Sequence, residues 1–241
     1  MKWVFWDLGD TLMNEDPLRC ELFRKLHARL PQYSWDTLMG ARETVLRNGA
    51  LAPHWALARC ELPAVEFDEW RVEVGAFTRG QGQHLIQPVT GARETLESLA
   101  DYRHGIIADQ PAEVLKTLHR VGLRDYFEVI VLSEVVGINK PDPAIYRRAL
   151  DEAVCEPGDA VMIGNRCDMD IKPAIGVGMH PILCQLSPRN KGWEPADEEA
   201  LAYMDSLERL PNWTRPDDLS CPVVHDLRDI PSVIASINPV E

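Results

Sequence analysis

Short apolar runs alternate with helical segments from residue 89 onward, and this alternation constrains the fold more than any other feature of the sequence. The apolar runs are His104–Ala108, Val129–Leu132, Ala160–Ile163 and Ile182–Cys184. The helical segments among them are Gly91–Ala100, Ala112–Val121 and Pro143–Ala153. Strands separated by helices are typical of a parallel sheet whose crossover helices cover both faces. The sequence therefore predicts an α/β fold with a parallel sheet core.

The N-terminus supplies a further buried strand. Lys2–Trp6 is mostly apolar and aromatic, and it ends at the polar turn Asp7-Leu8-Gly9-Asp10-Thr11-Leu12. Functional groups in open parallel sheets lie at the carboxyl ends of the strands. A carboxylate there suits nucleophilic attack on phosphorus, because backbone N–H groups of the turn can hold phosphoryl oxygens and a divalent cation can mask their charge. In the alternative interpretation, Asp7 or Asp10 only caps the turn or the following helix.

Two stretches depart from the strand-and-helix series. Within residues 14–86, Leu18, Leu22, Leu26 and Leu30 recur at the i, i+4 spacing of an apolar helix face. We predict a helical insert over 14–86, so that the core comprises residues 1–13 and 87–241. The proline-bearing, acidic stretch 187–218 is interpreted as an irregular, solvated excursion of the core, with a helix near Glu198–Leu207.

Two later polar motifs also follow apolar runs. In Gly137-Ile138-Asn139-Lys140-Pro141-Asp142-Pro143, a lysine at a helix start can neutralise charge on the nucleophile and the phosphoryl group. Its alternative is a solvent-exposed Lys-Pro turn. After the run ending at Gly164, the oxygens of Asn165, Asp168 and Asp170 suit magnesium, whereas Asp170 alone is also explained as a helix N-cap. Three such motifs at successive strand ends favour the functional interpretation.

The order of these motifs resembles the haloacid dehalogenase-like hydrolase superfamily, in the subgroup with a helical type-1 cap. The resemblance covers residues 1–185 and implies a Rossmann-like core, with residues 14–86 as a cap domain that selects the substrate. It also implies that Asp7 is the nucleophile, that Lys140 is the catalytic lysine and that Mg²⁺ is the cofactor. The implied metal ligands are Asp7, the carbonyl of Gly9, Asn165 and Asp170, and the implied substrate-binding residues are Thr11, Ala108, Asp109 and Gln110.

Two departures from the family pattern concern acid–base chemistry and the metal. Gly9 stands where the family has the aspartate that protonates the leaving group and then activates water. Asp10, one residue further on, is a candidate acid–base in its place, although a shift of one residue turns a side chain to a different face. Asn165 replaces the first aspartate of the metal motif, which weakens the magnesium site by one negative charge.

The third departure concerns phosphate binding. Ala108 stands where the family has a serine or threonine that binds the phosphoryl group. Asp109 and Gln110 are therefore candidate ligand contacts, and a loop that caps the helix from Pro111 onward explains them equally well.

These features together predict a magnesium-dependent phosphohydrolase that acts through an aspartyl-phosphate on a small phosphorylated metabolite. An acyl or glycosyl phosphate fits best, because a good leaving group needs less proton donation. One alternative is a weakly active or inactive protein that binds a phosphorylated ligand or partner. Another is a metal-independent 2-haloacid dehalogenase, since those family members also lack the second aspartate and have a tyrosine placed as Tyr146 is relative to Lys140.

The amino-acid composition argues against some classes of binding partner. The chain has 38 acidic and 25 basic residues and a net charge of −13, which argues against nucleic acid and against an anionic membrane surface. Its six cysteines form no CxxC pair, which indicates reduced thiols. The N-terminal apolar run is too short for a signal sequence or a spanning helix, so we expect a cytoplasmic protein, either a monomer or a homodimer.

The helical insert carries several candidate anion-recognition groups. They are Arg42, Arg47, Arg59, Arg71, Arg79, His54 and His84. Arginines on small helices are usually solvated surface, and Lys25 is interpreted as helical surface as well.

Overall fold

The computed structural model describes residues 2–50, 52–209 and 220–237. The strands are β1 (Trp3–Trp6), β2 (Met13–Asn14), β3 (Gln87–Pro88), β4 (Arg103–Ala108), β5 (Phe127–Leu132), β6 (Ala160–Gly164), β7 (His180–Cys184) and β8 (Val223–Val224). The helices are α1 (Asp16–His27), α2 (Trp35–Arg47), α3 (Pro53–Glu61), α4 (Ala64–Arg79), α5 (Ala92–Ser98), α6 (Val114–Arg120), α7 (Ser133–Val136), α8 (Pro143–Ala153), α9 (Lys172–Val177), α10 (Glu198–Arg209) and α11 (Ile230–Ile237). Across these ranges, no helix has the length and apolar character that crossing a membrane requires.

Six strands form one parallel sheet in the order β5-β4-β1-β6-β7-β8. All four residues of β1 are buried, as expected for a parallel strand with helices on both faces. The predicted α/β fold with a Rossmann-like parallel sheet is therefore confirmed. The sheet has one strand more than the N-terminal run and the four later apolar runs, namely β8 at its edge beside β7.

One face of the sheet packs against the helix that follows the lysine motif. Phe5, Ile107 and Met162 come from three neighbouring strands and are fully buried. Ile145 and Ala149 of α8 lie in the same apolar cluster. Burial of a large apolar side chain stabilises the fold by about 1.5–3 kcal/mol relative to its exposure. This packing fixes α8, and with it the preceding lysine motif, against the sheet.

The chain divides into two compact units. Of the described residues, the first unit contains 2–14, 87–192 and 220–237, and the second contains 15–86 and 193–209. Within the first unit, β2 and β3 pair antiparallel, with Asn14 opposite Gln87. This two-stranded ribbon lies where the chain leaves the first unit and where it returns.

The second unit is helical. Leu18, Leu22 and Leu26 are buried on α1, which confirms the predicted apolar helix face for these three, whereas Leu30 is buried beyond the end of the helix at His27. Tyr203 of α10 packs against Phe23 of α1, with 5.7 Å between ring centroids.

Helix α10 belongs to this helical unit, so the interpretation of 187–218 as an excursion of the core is wrong for residues 193–209. The predicted helix near Glu198–Leu207 is present as Glu198–Arg209. The indole N–H of Trp35 donates to the Glu199 carbonyl at 2.9 Å, which fixes the start of α10 on α2. An amphipathic pattern predicts a buried helix face but does not say which surface will bury it. Residues 210–218 lie outside the described residues.

Two of the candidate anion-recognition groups are interior residues of the helical unit. Arg42 is fully buried and donates to the carbonyl and hydroxyl of Ser206 at 3.2 and 3.3 Å. It therefore anchors α10 and is not solvated surface. His54 is also buried, and burial, followed by the charge of Arg19, lowers its pKa to about 3. A histidine with that pKa is neutral at pH 7 and does not attract anions as a cation.

Candidate active site

The first predicted motif lies at the carboxyl edge of the sheet, between two other strand ends. Strand β1 pairs with β4 on one side and β6 on the other, with Trp6 opposite Ile106 and Ile163. The Asp7 N–H continues this ladder by donating to the Ile163 carbonyl at 2.8 Å. Because the strands are parallel, the loops after β1, β4 and β6 meet at this edge. Asp7 is the central residue of that edge.

Lys140 joins the nucleophile candidate to the third motif. Its Nζ donates to Oδ1 of Asp7 and to Oδ1 of Asp170, both at 2.6 Å. The side chains of Lys140, Asp7 and Asp170 are only 4%, 10% and 1% exposed. The three groups singled out from three separate motifs therefore form one buried, charge-assisted cluster.

The surrounding loop fixes the backbone of Lys140. Oδ1 of Asp109 accepts a hydrogen bond from the Lys140 N–H at 2.9 Å. Oδ1 of Asp142 accepts from the Ala144 N–H at 2.9 Å, and so caps α8 two residues beyond the lysine. Asp109 thus holds the backbone of the segment that carries Lys140, and its predicted contact with a ligand stays a prediction.

Asp170 is positioned by the close approach of β6 and by its own loop. Its Oδ2 accepts from the Arg166 N–H at 2.9 Å. A Cβ added to Gly164 would lie 2.4 Å from the Cβ of Asp170, so only glycine allows this approach. The Tyr146 hydroxyl donates to the Met169 carbonyl, which fixes the π-helical turn that carries Asp170.

Burial dominates the electrostatics of the cluster. It raises the pKa of Asp7 to about 7; the Lys140 ammonium lowers that pKa and the neighbouring Asp170 raises it. Burial alone would lower the pKa of Lys140, but the charges of Asp170 and Asp7 together raise it. Lys140 is therefore a permanent cation, and Asp7 retains unfavourable desolvation that a further cation would relieve.

The turn after Asp7 is held by its own backbone. The Leu8 carbonyl accepts from the amides of Thr11, Leu12 and Met13, while the Asp10 amide donates to the Met13 carbonyl. A parallel bridge joins Gly9 to Met13 through these bonds. The bridge uses the carbonyl of Leu8 and the amide of Asp10, so it leaves the N–H and C=O of Gly9 available to a ligand. The amides of Asp10, Thr11, Leu12 and Met13 are engaged within the turn, so anion binding by this turn stays a prediction that rests on Gly9.

Asp10 has a partner that sequence reasoning missed. Its Oδ1 accepts from Nζ of Lys191 at 2.9 Å, and the side chains of Lys191 and Asp10 are 8% and 5% exposed. The two residues are 181 positions apart. Lys191 lies in the proline-bearing stretch that was interpreted as a solvated excursion, and no periodicity or motif there signals a buried cation.

The other predicted site residues lie around the same edge. Thr11 Oγ1 is 3.3 Å from Oδ2 of Asp7, and it donates there. Ala108 is buried at the end of β4, Gln110 is half-buried and Asn165 is buried beyond β6. Asp168 is different, because its exposed carboxylate pairs with Arg166. Its exposure distinguishes it from the buried carboxylates of the cluster.

The donor set fits a magnesium ion. Asp7 and Asp170 contact the same ammonium, and the carbonyl of the half-buried Gly9 and the side-chain amide of the buried Asn165 offer oxygens of the type that magnesium prefers. Among the described residues, no three His, Cys, Asp or Glu side chains cluster as a metal site. A magnesium site does not need three such side chains, since the ion is commonly held by one or two carboxylates together with waters and substrate phosphate.

Comparison with known proteins identifies relatives. A family model described as haloacid dehalogenase-like hydrolase matches residues 1–178. The glyceraldehyde 3-phosphate phosphatase of Pyrococcus abyssi is 30% identical over 198 residues, which cover 76% of this chain and 80% of that protein.

Solved structures share the architecture. A HAD-superfamily hydrolase of subfamily IA from Geobacter sulfurreducens superposes with a TM-score of 0.70 at 16% identity, covering 97% of this chain and 96% of that one. The 2-haloacid dehalogenase of Pseudomonas syringae pv. Tomato gives a TM-score of 0.59 at 25% identity, covering 98% and 99% of the two chains.

Proposed function

Since the chain belongs to the haloacid dehalogenase-like hydrolases, we propose that it is a magnesium-dependent phosphatase in which Asp7 attacks the phosphorus of a small phosphorylated metabolite. The observation that carries this proposal is the buried contact of Lys140 with both Asp7 and Asp170 at 2.6 Å. A nucleophile, a fixed cation and a second carboxylate at one strand edge are the groups that phosphoryl transfer to an aspartate needs. The relative from Pyrococcus abyssi, named for a triose phosphate, supports this substrate class.

The chain's own residues would act in two steps. An oxygen of Asp7 forms a bond to phosphorus while the bond from phosphorus to the leaving oxygen breaks, giving an aspartyl-phosphate. Water then attacks that phosphorus, and the bond to Asp7 breaks to release phosphate and restore the carboxylate. Lys140 stays charged throughout and offsets negative charge on the nucleophile and the phosphoryl oxygens.

Magnesium would be held by Asp7, Asp170, Asn165 and the Gly9 carbonyl. When bound, it neutralises phosphoryl charge and orients the group for attack. The desolvation that raises the pKa of Asp7 supports a cation there, because a divalent ion favours the ionised carboxylate. Asn165 in place of an acid makes this site weaker by one charge.

The leaving group decides which substrates are turned over. Gly9 offers no proton to the leaving oxygen, and Oδ1 of Asp10 is engaged by Lys191. A positioned general acid contributes about 10²–10⁴-fold to such a step. Acyl, glycosyl or aryl phosphates, whose leaving groups need little protonation, should therefore be turned over faster than alkyl monoesters such as a triose phosphate.

A panel of phosphate esters tests the proposal. Acetyl phosphate, a hexose 1-phosphate, an aryl phosphate and a triose phosphate are each assayed for phosphate release with magnesium and with EDTA. We expect magnesium-dependent release, fastest for the acyl phosphate, and its loss in Asp7→Asn. Asp101→Asn, an exposed carboxylate on the turn before β4, is the matched control and should retain wild-type rates. Full turnover by Asp7→Asn would disprove the proposal.

The dehalogenase alternative is favoured by one observation, the 25% identity to a 2-haloacid dehalogenase over nearly the whole chain. It predicts halide release from 2-haloacids in the presence of EDTA, which the same enzyme preparation can report. The absence of turnover with any compound, together with retained binding of phosphate esters, would instead support the ligand-binding alternative.

A further inference from the structure

Lys191 and Asp10 form a further buried ion pair beside the two that Lys140 makes with Asp7 and Asp170, and it joins the turn after Asp7 to a distant segment. Nζ of Lys191 lies 2.9 Å from Oδ1 of Asp10, three residues after Asp7. A buried lysine is costly unless its charge is paired, so this contact stabilises both side chains where they are.

The segment that carries Lys191 is seated on the β2–β3 ribbon. Nδ2 of Asn14 in β2 donates to the Lys191 carbonyl at 3.4 Å. The next residue, Gly192, has φ +87°, and a Cβ there would lie 2.6 Å from Oγ1 of Thr90 just beyond β3. Both ends of Lys191, its backbone and its ammonium, are thus fixed within the first unit. Lys191 is therefore held in a defined position.

The backbone of Asp10 needs such a partner. Its φ is +59°, in the left-handed region that residues other than glycine seldom adopt. A conformation of this kind costs about 1–3 kcal/mol and persists only where surrounding contacts enforce it. The Lys191 ammonium supplies one such contact. The turn that it fixes also contains Thr11, whose hydroxyl lies 3.3 Å from Oδ2 of Asp7.

Charge gives the pair a second effect on the site. Asp7, Asp10 and Asp170 crowd three carboxylates into this edge, against the ammonium groups of Lys140 and Lys191. Without Lys191, the buried carboxylate of Asp10 would lose this compensating positive charge.

We propose that Lys191 is a positioning residue of the phosphoryl site: it holds and neutralises Asp10, and so keeps the turn from Gly9 to Thr11 in the shape that serves Asp7. This inference rests on the proposed function of Asp7 as nucleophile. It gives Asp10 a structural role, in which Lys191 holds its carboxylate. Asp10 then does not transfer a proton to the leaving group. The Pro188–Lys191 turn and Gly192 are then parts of the active site that lie outside the three motifs.

Single substitutions at the pair test this role through rates and inhibition. Lys191→Met is expected to lower kcat for an aryl phosphate by about 10–100-fold, the usual effect of losing a group that orients site residues. Orthovanadate, an analogue of the transferring phosphoryl group, should inhibit this variant more weakly than the wild type, by a similar factor. Lys191→Arg keeps the charge and should recover most of kcat. Lys116→Met, the same change on an exposed lysine of α6, is the control and should match wild type.

The double variant separates positioning from general destabilisation. Asp10→Asn/Lys191→Met removes both charges, so it should fold even if Lys191→Met does not, and its kcat should be no lower than that of the poorer single variant. A kcat reduced by the product of the two single effects would overturn the inference. The inference would also be overturned if Asp10→Asn lost activity only towards alkyl phosphate esters, because that pattern is expected for a residue that donates a proton to the leaving group.

Failure of this inference is distinguishable from failure of the proposed function. Wild-type kcat and vanadate inhibition in Lys191→Met, with Asp7→Asn inactive, would overturn the role of Lys191 and leave the nucleophile intact. Turnover that survives in Asp7→Asn would overturn both.

Discussion

Gly164 and Asp170 are in such close contact that a methyl group on Gly164 would overlap the Asp170 side chain, with 2.4 Å between the added Cβ and the Asp170 Cβ and Cγ. Real Cβ atoms do not approach this closely, so Gly164→Ala must displace Asp170 or the end of β6. We expect it to weaken magnesium activation by at least about tenfold. Magnesium titration of the initial rate measures this, with Gly158→Ala as control because a Cβ there meets nothing within 4 Å. An unchanged magnesium requirement would show that Asp170 is not a ligand.

Both the positive charge and the shape of the Lys140 side chain should be required for activity. Lys140→Met leaves two buried carboxylates without their shared cation, and breaking a buried pair in this way destabilises by about 3–5 kcal/mol. We expect kcat to fall by at least about 100-fold. Lys140→Arg should not restore it, because a planar guanidinium cannot occupy the point-like position 2.6 Å from both acids. Urea denaturation and phosphate release report the two effects, and an active arginine variant would contradict the geometry.

Asp109 should affect rate rather than substrate affinity. Its Oδ1 accepts from the Lys140 N–H, so Asp109→Ala is expected to lower kcat about tenfold and to leave KM nearly unchanged. Asp109→Asn keeps an acceptor oxygen and should recover most of the rate. If Asp109 binds substrate, as the sequence suggested, both variants should instead raise KM. Steady-state kinetics on one aryl phosphate distinguishes the outcomes.

The raised pKa of Asp7 predicts a pH-dependent component of stability. Between about pH 4 and pH 7 the unfolded chain has lost the Asp7 proton while the folded chain still binds it, because the folded pKa is about 7 and the ordinary value is 3.8. The contribution of Asp7 to the free energy of unfolding therefore falls as the pH rises through that window, and it is constant at higher pH. Urea denaturation in EDTA should show the decline in wild type and a smaller one in Asp7→Asn. Equal slopes in the two proteins would contradict the shift.

The meeting of Asp7, Lys140 and Asp170 could be predicted from the sequence for a common physical reason. Parallel strands bring their carboxyl ends to one edge, so polar groups directly after Trp6 and Gly164 must meet once the strand order is right. Lys140 joins them because helix α8 packs on the same sheet, and its proline-flanked start is visible in the sequence.

Other features could not be found in the same way. Lys191 reaches Asp10 across 181 positions, and a lysine in a proline-bearing stretch carries no signal that it is buried. Arg42 and α10 show the same limit, since an amphipathic helix can bury its face on either unit. The role of Asp109 depends on one backbone amide of a neighbouring loop, which no residue pattern encodes.

Placing an acid at position 9 tests whether Gly9 restricts the proposed activity to substrates with good leaving groups. Gly9→Asp places a carboxyl two residues after the nucleophile, where the family pattern has its general acid–base. We expect turnover of an alkyl phosphate to rise by at least about tenfold, since a positioned acid supplies about 10²–10⁴-fold for a poor leaving group. Acetyl phosphate, which needs little protonation, should change far less, so the ratio of the two rates is the measurement. A folded variant with an unchanged ratio would show that protonation of the leaving group does not set the selectivity of this site.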